Sequence, residues 1–327
     1  MTDTLYDTLH AEGLISDESL DKVIKQQQKP ILFSVHWEIK TLLYVGVLTL
    51  TTGLGILVYE NIETIGHQFV LGLIALICAG CFAYGFKNAT PFTPDKVKVT
   101  NAFFDYIILL GSISMLIFVG YLQFEYKVFG TNYGLATLIP MLVLFFIAYY
   151  FDHIGILNMA IANLAVWMGV SVTPKALLLN SNFDSQTIVY TYLVLGLMLL
   201  GAALLTQRYA FKKHFKFSYQ HYGLHVTYIS LLAGYFNYYE SWLAAIWMLG
   251  IVALSLVMYS DAFKNRSFYF LLLVVLYSYI ALSCVIIRLL SLGENEGLIS
   301  FIFLYFIASG IGFICFLINI NKKLKSA

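Results

Sequence analysis

Few side chains in this chain have the type and spacing to do chemistry. His221 and His225 are four apart and share one face of a helix, a spacing that suits a metal. A zinc site takes a third and fourth ligand, and no H-E-x-x-H is present, so the pair reads as histidines beside tyrosines near a helix end, with no metal or other cofactor expected. Cys78 and Cys81 make a C-x-x-C inside LICAGCFAYG, without the strand and helix setting of a redox motif or a second pair for zinc. They read as small, reduced, buried side chains. The stretch ILNMAIANLAVWMGV carries Asn158, Asn163 and Trp167. Its two amides could line a cavity and hold a ligand, or bond across to a neighbouring helix. Pro140, in the apolar run just before, is either a hinge beside that cavity or a kink whose freed carbonyl is satisfied locally. Glu60, Glu63 and His67 share one short loop, where they could form an acidic mouth that attracts cations or stand as solvated loop residues. No G-x-S-x-G, phosphate-cradling glycine loop or kinase set occurs, so no enzyme is expected.

The elements that must position these residues are long and apolar. Of 327 residues, 60% are hydrophobic and only 11% charged, against roughly 25% charged in a soluble domain. Lys40 to Glu60 shows the pattern: an apolar run broken only by Thr and Gly, with a cation at entry and an acid at exit. About 20 such residues cross a hydrocarbon layer of roughly 30 Å. The fold class is therefore an all-α polytopic bundle of about ten spans: Ile39–Tyr59, Gly66–Phe86, Phe103–Leu122, Tyr133–Phe151, Ile154–Thr173, Thr187–Thr206, His221–Tyr238, Ser241–Ser260, Phe268–Leu290 and Leu298–Ile320. Residues 1–38 form a helical hairpin and linker before the bundle of 39–320, and 321–327 form a short basic tail. Asp152 and His153 alone divide the fourth span from the fifth. Ionisable groups mid-membrane are costly and mark function. Asp105 and Arg288 sit near span ends, where they can snorkel to water, which argues against ion-coupled pumping.

Lysine and arginine set the orientation. With the N-terminus inside, 16 of the 19 fall on inner segments, leaving Lys127, Lys175 and Arg288 outside. That bias places both ends in the cytoplasm. The net charge of +1 gives no basic surface for nucleic acid. Ala75, Ala79 and Ala83 in the second span, and Ala308 with Gly312 in the last, are small-residue stripes that allow close helix contact, within one bundle or between copies in a homo-oligomer. The opening residues lack the basic and apolar segments of an export signal, so the first span is expected as an uncleaved anchor.

Gly13-Leu14-Ile15-Ser16 in the hairpin, Tyr44-Val45-Gly46 and Gly53-Leu54-Gly55 in the first span, and Glu60-Asn61 at its outer end form a recurring order of parts. In this order the chain resembles the domain of unknown function 2157 family of predicted bacterial membrane proteins. Members often have Asn-Trp where this chain has Asn61-Ile62. The resemblance implies a membrane bundle and assigns no reaction or ligand. Two functional expectations result: a transporter-like bundle that binds a small molecule or lipid, or a non-catalytic accessory of an envelope complex that docks a protein partner on its N-terminal hairpin. Membrane lipids are partners in either case.

Overall fold

A computed structural model describes residues 66–97, 102–130, 133–172, 186–291 and 298–326, with scattered positions between His10 and Glu60. Among them the regular elements are nine α-helices and one 3-10 turn: α1 His67–Lys87, α2 Ala102–Tyr126, α3 Tyr133–Tyr150, α4 Ile154–Val172, α5 Gln186–Arg208, the turn Lys213–Phe215, α6 Lys216–Asn237, α7 Leu243–Lys264, α8 Phe268–Ser291 and α9 Leu298–Ser326. Each falls on one of the last nine expected spans. α9 runs past its expected end at Ile320, so Lys322 and Lys323 are helical. The hairpin of 1–38 and the first span lie largely outside the described residues. The chain divides into two units, Met1–Val70 and Leu71–Ala327. Apart from the first turn of α1, all nine helices belong to the second unit.

Eight of the nine described helices are long and apolar enough to cross a membrane. The exception is α6, of 22 residues, about 33 Å long. It carries Ser218, Gln220, Thr227 and Ser230, all buried. The polarity is tolerated because other helices, rather than lipid, surround that face. α6 is thus the most polar of the described helices, whereas the sequence drew attention to the amides of α4.

α5 and α6 form the spine, packed more extensively than any other described pair. The reason is local. A Cβ on Gly196 of α5 would stand 2.7 Å from the Thr227 backbone nitrogen, and one on Gly223 of α6 would stand 3.0 Å from the Leu200 nitrogen. Only glycine at both positions lets the two backbones approach this closely. The Thr227 hydroxyl turns back to donate to the Gly223 carbonyl at 2.6 Å, so its polar atom is satisfied within the seam. From this spine two cores extend. One gathers Leu195, Leu199 and Tyr219 with Leu144, Ile147, Leu157 and Ile161 of α3 and α4. The other gathers Leu224, Tyr228 and Tyr235 with Trp247 and Ile251 of α7 and Leu271 and Val274 of α8. α1 packs on α2 through Cys81, against which Gly111 sits, rather than through the alanine stripe, of which Ala79 and Ala83 are exposed. Gly310 and Gly312 of α9 have open space around them.

Candidate functional site

Among the described residues, the strongest concentration of charge lies where α3 meets α4. α3 ends with a bond from His153 N–H to the Ala148 carbonyl at 3.0 Å, and Asp152 holds the left-handed φ of +59° that such an ending demands. Glycine is the usual occupant, since another residue there costs about 1–2 kcal/mol. Asp152 is instead fixed by its carboxylate. Oδ1 takes Lys212 Nζ at 2.8 Å and His214 Nε2 at 2.7 Å. Oδ2 accepts the Val97 N–H at 2.7 Å. The Asp152 side chain is 2% exposed and that of Lys212 0%. Lys212 also has a left-handed φ, +48°, and its backbone N–H donates to the Pro94 carbonyl at 2.8 Å. Its ammonium lies 5.2 Å from the centre of the Phe92 ring. Aromatic side chains close the site: Tyr149 stacks on Phe211, meets Phe215 edge to face, and shares a hydrogen bond with Tyr219 at 2.8 Å.

This cluster ties three segments together: the link after α1, the α3–α4 turn, and the link between α5 and α6. Next to Asp152, His153 caps α4 by accepting the Ile156 N–H on Nδ1 at 3.2 Å. An imidazole nitrogen that accepts must be unprotonated. Burial accordingly holds His153 below its ordinary value, while the nearby Asp105 carboxylate pulls the other way.

His214 also borders a second feature, a cleft of about 260 Å³ between the start of α6, the end of α7 and the first turn of α8. A third feature is an apolar groove of about 440 Å³ between α7, α8 and α9, lined by Val252, Leu256, Val275, Leu282 and Phe316 among others. Its two serines are already engaged. Tyr228 OH and Ser255 share a bond at 3.0 Å, and the Ser278 hydroxyl reaches Ser255 at 2.9 Å and the Val274 carbonyl at 2.8 Å. Tyr228 stacks on Tyr277, whose hydroxyl bonds His225 Nδ1 at 2.7 Å. His221 is similarly matched to Tyr269 at 2.6 Å. The two histidines do share a face, with ring centres 4.7 Å apart, and each is paired with a tyrosine.

The residues singled out from the sequence are dispersed. Asn163 donates from Nδ2 to the Thr137 carbonyl at 3.0 Å, one residue past the Ala136 carbonyl that Pro140 deprives of its N–H partner. Asn163 and Pro140 are thereby brought together, as a clamp between α4 and a proline-bearing α3. Oδ1 of Asn158 is buried without a hydrogen-bond partner, and Trp167 is half-buried on the same helix. Glu60 is exposed, His67 opens α1, and Glu63 lies outside the described residues. The sequence reading missed Asp152, Lys212 and His214. The available signal was an acid as the sole break between two apolar runs, with cations gathered in another segment assigned to the same side.

Long apolar helices, two packed cores and a charge cluster confined to helix ends define an integral membrane protein of the polytopic, all-helical class. Residues 7–157 match the family model described as predicted membrane protein (DUF2157). The match runs well beyond the N-terminal residues that carry the resemblance, as far as the first turn of α4. No curated protein and no solved structure matches the chain significantly.

Proposed function

We propose that the chain is a non-catalytic, lipid-binding bundle of a bacterial inner membrane, with both termini in the cytoplasm. The observation that carries this reading is the groove between α7, α8 and α9. Its volume of about 440 Å³ falls in the range of about 300–1,000 Å³ usual for ligand pockets. Its two serines are already hydrogen-bonded, so apart from the Tyr259 hydroxyl its walls offer an apolar chain contact. It is built from the inner turns of α7 and α8, at the depth where acyl chains lie. Asn163, committed to Thr137, favours this site over a polar cavity along α4.

The test is native mass spectrometry after gentle extraction. Val252 and Leu282 line the groove yet are 54% and 57% exposed, so Val252→Trp with Leu282→Trp fills it without disturbing the core. Loss of a bound lipid from a folded variant is the expected result, and unchanged retention refutes the reading. Orientation is tested by single cysteines at Lys213 and Glu240 in a background without native cysteines; labelling from the same side would refute it. The separation of Met1–Val70 as its own unit favours a second reading, an accessory protein that docks a partner there. Deleting residues 1–29 should then release that partner, and retention of every partner removes this reading.

A further inference from the structure

The cleft between α6, α7 and α8 has a chemistry different from that of the groove, and the two share no lining residue. Lys213 and Lys216 stand at its rim, Phe217 and Phe270 form an apolar wall, and Gln220, Asp261 and Asn265 lie within it. Asp261 pairs with the lysines only loosely, because each of its oxygens also accepts an amide N–H. Oδ1 accepts Asn265 Nδ2 at 2.9 Å and Oδ2 accepts Gln220 Nε2 at 3.0 Å. Lys216 Nζ stays 3.6 Å from Oδ2, beyond the roughly 2.7–2.9 Å of a charge-assisted hydrogen bond. Lys213 is exposed and forms no ion pair among the described residues. Two cations with unspent donors therefore face a hollow at the ends of three membrane helices, beside exposed and buried phenyl rings.

We propose that this cleft binds a phosphate group, carried either by an anionic lipid at the membrane surface or by a small soluble phosphate. The lysines supply charge and donors to the phosphate oxygens. Phe217, 52% exposed, supplies contact for the apolar body that a lipid headgroup brings with it. The inference depends on the membrane class of the protein and on neither the groove nor the orientation.

The full chain is placed in nanodiscs of phosphatidylcholine mixed with phosphatidylglycerol, and the bound lipids are read by native mass spectrometry. The expected result is enrichment of phosphatidylglycerol in the wild type, reduced about tenfold or more in Lys213→Gln/Lys216→Gln. Lys264→Gln, which alters an exposed lysine outside the cleft, should leave the enrichment unchanged. In nanodiscs of phosphatidylcholine alone, inorganic phosphate separates the two sources. A phosphate-dependent rise in melting temperature, present in the wild type and absent in the double variant, assigns the site to a soluble phosphate; no rise alongside lipid enrichment assigns it to the lipid. Equal loss of enrichment in Lys264→Gln, or no response to either probe, overturns the proposal. If the double variant does not fold, Lys213→Gln carries the same test, because that side chain is exposed and forms no ion pair among the described residues. The Val252→Trp/Leu282→Trp variant should keep its phosphatidylglycerol preference, so failure of the groove and failure of the cleft are told apart.

Discussion

Asp152→Asn removes one charge from the buried cluster and leaves most of the geometry in place. Asn tolerates the φ of +59° at this position as well as Asp does. Its side-chain oxygen can still accept the Val97 N–H that now lies 2.7 Å from Oδ2. What disappears is the counter-charge of Lys212, whose ammonium is 2.8 Å from Oδ1 and fully enclosed. Leaving one member of a buried pair uncompensated costs about 3–5 kcal/mol, whereas replacing both members with neutral groups of similar volume is often close to neutral. Asp152→Asn should therefore lose about 3–5 kcal/mol, and Asp152→Asn with Lys212→Met should recover most of it. The assay is equilibrium unfolding in mixed detergent micelles, followed by circular dichroism, on the wild type, both single variants and the double variant. If the double variant loses the sum of the single losses to within about 0.5 kcal/mol, the two residues are not coupled. The cluster would then not be what holds these helix ends together.

Three further outcomes are expected from the packing. Gly196→Ala should cost about 1–3 kcal/mol in the same unfolding assay, because the new methyl meets the backbone of Thr227, which cannot rotate away; unchanged stability would show that α5 and α6 are not so close. Asn163→Leu removes the bond to the Thr137 carbonyl and should cost about 0.6 kcal/mol, the average for a hydrogen bond between membrane helices, and at most about 1.7 kcal/mol; loss of a bound ligand at unchanged stability would instead give Asn163 a binding role. His153 is held below its ordinary 6.5, so the folded state favours the neutral ring. Its contribution is complete above 6.5 and is lost as pH falls from there through the folded value, because the unfolded chain takes up the proton first. His153→Asn, which keeps a capping side chain, should flatten the melting temperature across that window, and an unchanged slope would refute the assignment.

Helix positions were legible because lipid imposes a simple rule on composition. Runs such as Phe268–Leu290 need no partner to be recognised, and α8 spans Phe268–Ser291. The cluster at Asp152 was not legible, since its partners Val97 and His214 are 55 and 62 residues away in sequence. Only the convergence of three helix ends brings them together. Asp152 also occupies a left-handed position at which glycine would have announced the turn. Span composition pointed to the amides of α4, because they stand out against apolar neighbours. The more extensive polarity of α6 is spread over hydroxyls, amides and imidazoles whose pairing with α3, α7 and α8 no local pattern reveals.

The polarity of α6 bears on how the protein is made. A segment with Ser218, Gln220, His221, His225, Thr227 and Ser230 partitions poorly into lipid when it leaves an insertion channel alone, since each polar group then faces hydrocarbon. α5, apolar and notched by Gly196 for this partner, is made just before it. The pair is therefore expected to enter the bilayer as a hairpin, with α5 acting as the first solvent that α6 meets. A change at Gly196 would then reduce the yield of correctly threaded chains as well as the stability of those already folded.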